Sequence, residues 1–336
     1  MSIRMVQLGI GHDHAIGKTK VIRESPEVEL AGIFEPSVRV RELRGANPSF
    51  EGVRWFTSIH EALGDSSVTA VAVEGRISEN LAFARAALEH GKHVWLDKPA
   101  GDDFDAFRDL LALATRKKLH LQLGYMFRYN SGFQFVLEMA RSGRLGSVRS
   151  VRARMSTRGA VTELKETWDS SGEQAGGIMF ILSGHILDAV VALMGRPAAV
   201  TPFSQSTEEK IPLYRKNTMA VLEYPDALAV VESAAGEIGS GEMRTFEVFG
   251  SRGSVILQPL EPPEVRLCFD VERDGYVAGW QPVPVERRPR YVGSLRAFVA
   301  TIRGEQPPDR SFAHELAVQE TVLAAAGLRV ISGRTT

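Results

Sequence analysis

One cysteine, Cys268, stands among 336 residues. A single thiol excludes an intrachain disulfide and any cysteine-rich metal site, and it fits a reducing compartment. No excess of charge exists either. The 40 Lys and Arg against 41 Asp and Glu leave a formal net charge of -1, so nucleic acid and anionic membrane surfaces find no electrostatic footprint. No apolar run approaches the ~20 residues of a membrane span. The opening Met-Ser-Ile-Arg-Met-Val runs straight into a strand pattern, without a charged-then-apolar signal segment. Internal repeats and low-complexity linkers are absent. The expectation is a cytoplasmic, soluble protein with no nucleic-acid or membrane partner, long enough for two domains that each bury a core.

What is present is an alternation. Residues 3–8, 28–34, 53–56, 68–73, 94–96 and 119–123 read as six short apolar strands. Helical patterns lie between most of them, at 15–23, 38–44, 59–63, 77–90 and 102–117. This order predicts a doubly wound parallel sheet over residues 1–123. From 124 to 336 the pattern changes. A helix at 133–141 and a strand at 147–155 precede a long helix from Ile178 to Met194. Strand-like runs with short turns, Pro225-Asp226 and Ser251-Arg252-Gly253 among them, then recur through 198–285. Two closing helices are read at 292–303 and 314–331. The second domain is thus expected to be α+β, with a large, mainly antiparallel sheet.

The first strand ends in Gly9-Ile10-Gly11. Gly9 permits a tight turn, and Gly11 lets backbone N–H groups approach a pyrophosphate at a helix N-terminus. The third glycine of a dinucleotide fingerprint is missing, because His14 holds its place; the helix is expected to start displaced. Glu35 ends the second strand, where a carboxylate accepts from ribose hydroxyls and repels a 2′-phosphate. That favours NAD over NADP, with Arg39 nearby leaving room for the phosphate. Gly17-Lys18-Thr19 resembles the end of a triphosphate-binding loop, but His12 stands where that loop needs glycine. His12-Asp13-His14 suggests metal ligands only superficially: adjacent side chains diverge and no partner at helical spacing joins them, so loop histidines are the simpler reading and no metal is expected.

The chain is organised around Gly91-Lys-His-Val-Trp-Leu-Asp-Lys-Pro-Ala100. Gly91 stops a helix, Val94 to Leu96 form a buried strand, and Pro99 holds Lys98 at the strand's carboxyl end, the edge where open α/β sheets bind ligands. A solvated surface turn is the plain alternative. Asp97-Lys98-Pro99 nevertheless resembles the Glu-Lys-Pro signature of the glucose-fructose oxidoreductase, inositol dehydrogenase and MocA family, with Asp for Glu. The segment Gly124-Tyr125-Met126-Phe127-Arg128-Tyr129-Asn130 resembles that family's entry into its second domain. Gly176-Gly177 followed by Gly184-His185-Ile186-Leu187-Asp188 resembles its Gly-Gly helix carrying His and, three residues on, Asp.

The resemblance implies a nicotinamide-dependent oxidoreductase that moves hydride between its cofactor and a sugar, polyol or related small hydroxylated substrate held between two domains. It assigns the cofactor to Gly9, Gly11, His12, His14, Glu35, Asp97 and Lys98. Catalysis falls to Lys98, a buried amine able to take the hydroxyl proton, and to His185 as its partner. Tyr125, Arg128, Trp168 and His185 become substrate contacts, and the antiparallel sheet a homo-oligomer interface. Plain alternatives stand beside these: Tyr125 as a core aromatic, Arg128 as a structural ion pair, Trp168 as cover only and His185 as a satisfied core histidine. Three departures, His14, Arg76 and Ile181 (where the family has Asp one turn before the His), encourage a rival reading as an inactive dinucleotide-binding sensor or partner protein.

Overall fold

The computed structural model describes residues 2–159, 171–206 and 214–332. They form two compact units, the first comprising Met1–Gly124 and Pro289–Leu316 and the second most of the remainder. The first unit therefore takes in a C-terminal stretch in addition to the expected span 1–123.

In the first unit, β1 (Ile3–Leu8), α1 (His14–Glu24), β2 (Val28–Phe34), α2 (Val38–Arg44), α3 (Ile59–Gly64), β3 (Ala70–Val73), α4 (Ile77–Glu89), β4 (His93–Leu96), α5 (Phe104–Lys117) and β5 (Leu121–Leu123) follow in order. The five strands pair in parallel as β2-β1-β3-β4-β5. All four residues of β3 are buried, as an apolar run covered on both faces requires. Gly91 does take a positive φ of 75° just after α4, where any side chain would strain the backbone. Asp103 caps α5 by accepting from the Ala106 N–H at 2.9 Å. One expected strand is corrected: 53–56 makes a single parallel bridge, Ile33 to Trp55, and no ladder. The returning helix α9 (Val292–Ile302) belongs to this unit. Phe298 stacks on Trp95 at 6.3 Å, and Gln122 donates to the Ser294 carbonyl at 2.9 Å.

The second unit holds α6 (Ser131–Arg141), β6 (Val148–Arg154), α7 (Ser171–Leu182), α8 (Gly184–Met194), β7 (Ala199–Gln205), β8 (Asn217–Tyr224), β9 (Ala227–Ala234), β10 (Thr245–Gly250), β11 (Gly253–Leu257), β12 (Val265–Phe269) and β13 (Gly279–Val283); α10 spans Phe312–Ala325. The eight strands run β13-β12-β11-β10-β6-β9-β8-β7, antiparallel except for the parallel pair β6/β9. Alternation decides the faces. Val151, Ala153, Ala220, Leu222, Val231, Phe246, Val248 and Leu267 point to the core, where Phe133 of α6 meets Phe246 at 5.1 Å. The opposite face pairs Phe203 with Met219 and carries Arg152, Arg154, Glu232 and Arg266. Pro225-Asp226 does close the β8/β9 hairpin. Among the described residues, no single helix is long and apolar enough to cross a membrane.

The long helix expected from Ile178 to Met194 is two. Gly177 is non-helical (φ 56°, ψ -149°), and the segments 176–182 and 184–194 meet at 67° across Ser183. A stretch that is apolar apart from Ser183, His185 and Asp188 hides such a bend, since both arms keep nearly the same composition. The consequence falls on Ile181 and His185. They flank the bend instead of sharing one face of a continuous helix.

Candidate active site

β1 delivers its chain to the carboxyl edge of the sheet, where Gly9 turns with φ 85° and its N–H donates to the Phe34 carbonyl at 2.7 Å. A Cβ on Gly9 would collide with the backbone of Gly75, and one on Gly11 would lie 2.8 Å from Arg76 Cγ. Both glycines therefore let the β1–α1 and β3–α4 loops pack together, a role separate from approach to a pyrophosphate. α1 starts at His14; Asp13 before it makes no side-chain cap, and His12 takes the first amides instead, its Nδ1 lying 3.2 Å from the His14 N–H nitrogen and its carbonyl accepting from the Ala15 N–H at 3.1 Å. Arg44 donates to the Gly11 carbonyl and to Asp13 Oδ1, both at 2.7 Å, and offsets the acid there. Arg44 carried no sequence signal; nothing in its neighbourhood distinguishes it from a solvated helix arginine.

Glu35 does lie at the end of β2, but its carboxylate turns inward. Oε2 accepts from the Ile10 N–H at 2.8 Å and Oε1 from the Ser37 N–H at 2.9 Å. Burial raises its pKa, against those hydrogen bonds. Each oxygen keeps a lone pair, so the carboxylate braces the loop and retains acceptor capacity.

Behind this loop lies a buried ionic group. Lys18 of α1, read above only as part of a false phosphate motif, is fully buried. Its Nζ donates to Glu74 Oε1 at 2.5 Å and Asp97 Oδ1 at 3.2 Å, and lies 4.6 Å from the centre of the Trp95 ring. Asp97 also meets His12 Nδ1 at 2.5 Å through Oδ2 and His14 Nδ1 at 3.1 Å through Oδ1. The histidine ring thus turns toward the strand ends and packs against Tyr291 at 5.5 Å; Ala15, Lys18, Thr19 and Ile22 form the buried side of α1. His12, His14 and Asp97 converge after all, through tertiary contact that spacing in the chain could not disclose. At 2.5 Å His12 Nδ1 and Asp97 Oδ2 touch directly, closer than the roughly 3 Å between two ligands each ~2.1 Å from one ion.

The electrostatics divide sharply. Burial opposes charge on Lys18, but Asp97 and Glu74 outweigh it and raise its pKa. Asp97 is buried too, yet His12, Lys18 and His14 hold it well below the usual carboxylate range. Glu74 goes the other way, pushed well up by burial and by Asp97. Two carboxyls around one ammonium share the burden unequally. Desolvation brings His14 down to about 3, so its ring is neutral at any ordinary pH although 15 % of the side chain is exposed.

Lys98 follows directly. It is 2 % exposed, and burial lowers its pKa to about 8, with Lys18 assisting and Asp97, Asp13 and Glu74 opposing. A lysine in this condition exchanges its proton near physiological pH. Sequence reasoning found Lys98 and missed Lys18 and Glu74. An acid directly after the all-apolar Ala70–Val73 strand was the one available signal for Glu74.

In the second unit, Arg128 and Asp188 form a bidentate pair: Nε donates to Oδ2 at 3.0 Å and Nη2 to Oδ1 at 2.7 Å. Both are buried, and the guanidinium lies 4.9 Å from the Tyr125 ring centre. Asp188 is thus engaged by the arginine. The His185 ring, buried on α8, meets Phe127 at 5.2 Å and Tyr125 edge-on at 6.1 Å. Trp168 lies outside the described residues.

The parallel sheet, its glycine turn and the buried lysine after β4 have counterparts among known proteins. Residues 4–125 match the family described as "Oxidoreductase family, NAD-binding Rossmann fold", and residues 133–256 match "GFO/IDH/MocA C-terminal domain". The chain belongs to the GFO/IDH/MocA family. It is 26% identical over 273 residues to the uncharacterized oxidoreductase YdgJ of Escherichia coli, covering 79% of this chain and 74% of that one. To the scyllo-inositol 2-dehydrogenase (NADP(+)) IolW of Bacillus subtilis it is 22% identical over 200 residues, 60% of this chain and 54% of that protein. An Agrobacterium radiobacter oxidoreductase solved with NAD+, L-tartaric acid and magnesium shares the fold at a TM-score of 0.80 and 15% identity, over 98% of this chain and 96% of the other.

Proposed function

We propose that this oxidoreductase transfers hydride between NAD and a CH–OH group of a sugar, polyol or related small hydroxylated substrate. Lys98 carries the proton: it takes it from the substrate hydroxyl as hydride leaves, and returns it in the reverse direction. The observation that carries the reading is the buried Lys98 at the end of β4, lowered to about 8 chiefly by desolvation. The cationic ring of an oxidised nicotinamide would depress it further. His185 is the proposed second acid–base group, with Tyr125, Arg128 and Trp168 as proposed substrate contacts. Since the Asp188 pair already occupies Arg128, its part is to brace the second unit more than to grip substrate.

The dinucleotide fits the residues present. Gly9, Gly11, His12 and His14 line the loop before α1, and Asp97 holds both histidine rings. When bound, the cofactor supplies the hydride acceptor. Glu35 favours NAD, because a carboxylate at the end of β2 repels a 2′-phosphate; the relative named for NADP(+) and the neighbour solved with NAD+ bracket the choice. The apolar and charged outer face of the eight-stranded sheet, with Phe203, Met219 and Leu228 exposed, is the proposed interface between copies of this chain. The remaining expectation, small-molecule substrate without nucleic acid or membrane, follows from the balanced charge.

The test is a panel of polyols, sugars and sugar acids followed by nicotinamide absorbance with each cofactor. Turnover on a hydroxylated compound that Lys98→Met suppresses supports the reading. Cofactor binding without turnover across the panel overturns it in favour of a dinucleotide-binding sensor.

A further inference from the structure

The buried ionic group behind the loop is larger than anchoring α1 requires. Lys18 stands between a carboxyl that follows β3 and one that follows β4, joining Glu74 to Asp97 across adjacent strand ends. Gly124, which follows β5, completes the enclosure: a Cβ there would lie 2.8 Å from both Lys18 Nζ and Asp97 Oδ1. The ammonium is therefore fenced by three consecutive strand ends and by the Trp95 ring, with no room to swing away. Asp97, its second partner, is bonded to Lys98 through the chain.

We propose that Lys18 and Glu74 are positioning residues for Lys98, fixing the carboxylate beside it and setting, with opposite signs, the charge its ammonium feels. The proposal rests on the reading of Lys98 as the proton carrier. The charged groups nearest Lys98 come from each neighbouring element: Asp97 precedes it in the chain, Lys18 of α1 reaches Asp97 at 3.2 Å, Glu74 after β3 reaches Lys18 at 2.5 Å, and Asp13 and His14 stand at the start of α1. Of these, Lys18 repels the lysine's proton, while Asp97, Asp13 and Glu74 attract it. His14 is neutral and contributes no charge. Lys18 and Glu74 are in van der Waals reach of each other, so a purely structural role would make their variants behave alike. An electrostatic one makes them behave oppositely.

The experiment reads Lys98 itself, without substrate or cofactor. Protein labelled with carbon-13 at lysine Cε is titrated by NMR, and Lys98→Met identifies the Lys98 signal. Lys18→Gln, which removes the charge but keeps a donor for the carboxyls, is expected to raise the Lys98 midpoint by about one pH unit, the lower end of what one nearby charge does. Glu74→Gln, which keeps the shape, is expected to lower it. Circular dichroism checks that each variant is folded. Shifts of the same sign, or none, overturn the proposal; should Lys18→Gln not fold, the Glu74→Gln shift decides alone, a fall supporting it and anything else overturning it. Calorimetric titration of the same proteins with NAD separates the two readings: opposite shifts without dinucleotide binding leave the charge assignment standing and remove the functional one.

Discussion

The two units each bury charge, and they do so differently. In the second, Arg128 and Asp188 meet fork to fork, one cation against one anion, with two hydrogen bonds and a tyrosine ring over the guanidinium. Such geometry locks elements together. In the first, Lys18 faces two carboxyls, Asp97 faces three donors, and Lys98 is left beside them with its proton loosely held. Balanced pairing yields rigidity, whereas a crowded, unbalanced group yields titration near neutral pH. Burial is common to both; the balance of charge around each group sets the outcome.

The sharpest way to break the comparison is Lys98→Met. If Lys98 is the proton carrier, turnover falls by ~10²–10⁴-fold while dinucleotide binding measured by calorimetry persists. Turnover that survives the change would make the first cluster as structural as the second. Arg128→Ala tests the other side. It takes two charge-assisted hydrogen bonds from the buried Asp188 carboxylate, and urea unfolding is expected to show a loss of ~3–5 kcal/mol; a loss under 1 kcal/mol would mean that water reaches the site.

A third prediction concerns the same lysine's cost to the fold. Its pKa falls from 10.5 to about 8 on folding, so between those values the unfolded chain binds more protons and stability rises with pH. The penalty is complete below about pH 8 and gone above about pH 10.5. Lys98→Met should therefore be more stable than the parent at pH 7, on the order of 3 kcal/mol, with the gap closing as pH climbs. Equal melting temperatures at pH 7 would contradict the depressed value. The smallest effect is expected at Glu35. Glu35→Gln keeps the braces to Ile10 and Ser37 in part but removes the charge, and should narrow the preference for NAD over NADP by roughly tenfold, about the 1.4 kcal/mol of one charge-assisted hydrogen bond. Calorimetry with both cofactors reads it, and an unchanged ratio would detach Glu35 from cofactor choice.

Much of this architecture was legible. The βα alternation through residue 123, the stop at Gly91 and the hairpin at Pro225-Asp226 come from local chemistry: apolar runs, a residue free to take positive φ, and turn formers between strands. Lys98 was legible because proline and a buried strand fix its place in the chain. Lys18 was not. A lysine in an amphipathic helix reads as solvated, and only the arrival of Glu74, Asp97 and Trp95 from 56 and more residues away turns it into a buried cation. The bend at Ser183 was hidden for the opposite reason, because arms with so few polar residues give periodicity little to measure.

The sequence alone determined most of the secondary elements, the parallel character of one sheet and the mainly antiparallel character of the other, and the family, since these rest on patterns within a few residues of one another. Tertiary structure decided which charges meet. It turned Glu35 inward, took Asp188 for Arg128, gave both loop histidines to Asp97, and drew residues 289–316 into the first unit. The physical reason is that a side chain's protonation and partner depend on dielectric and distance, and both are properties of the packed interior, absent from any local stretch of chain.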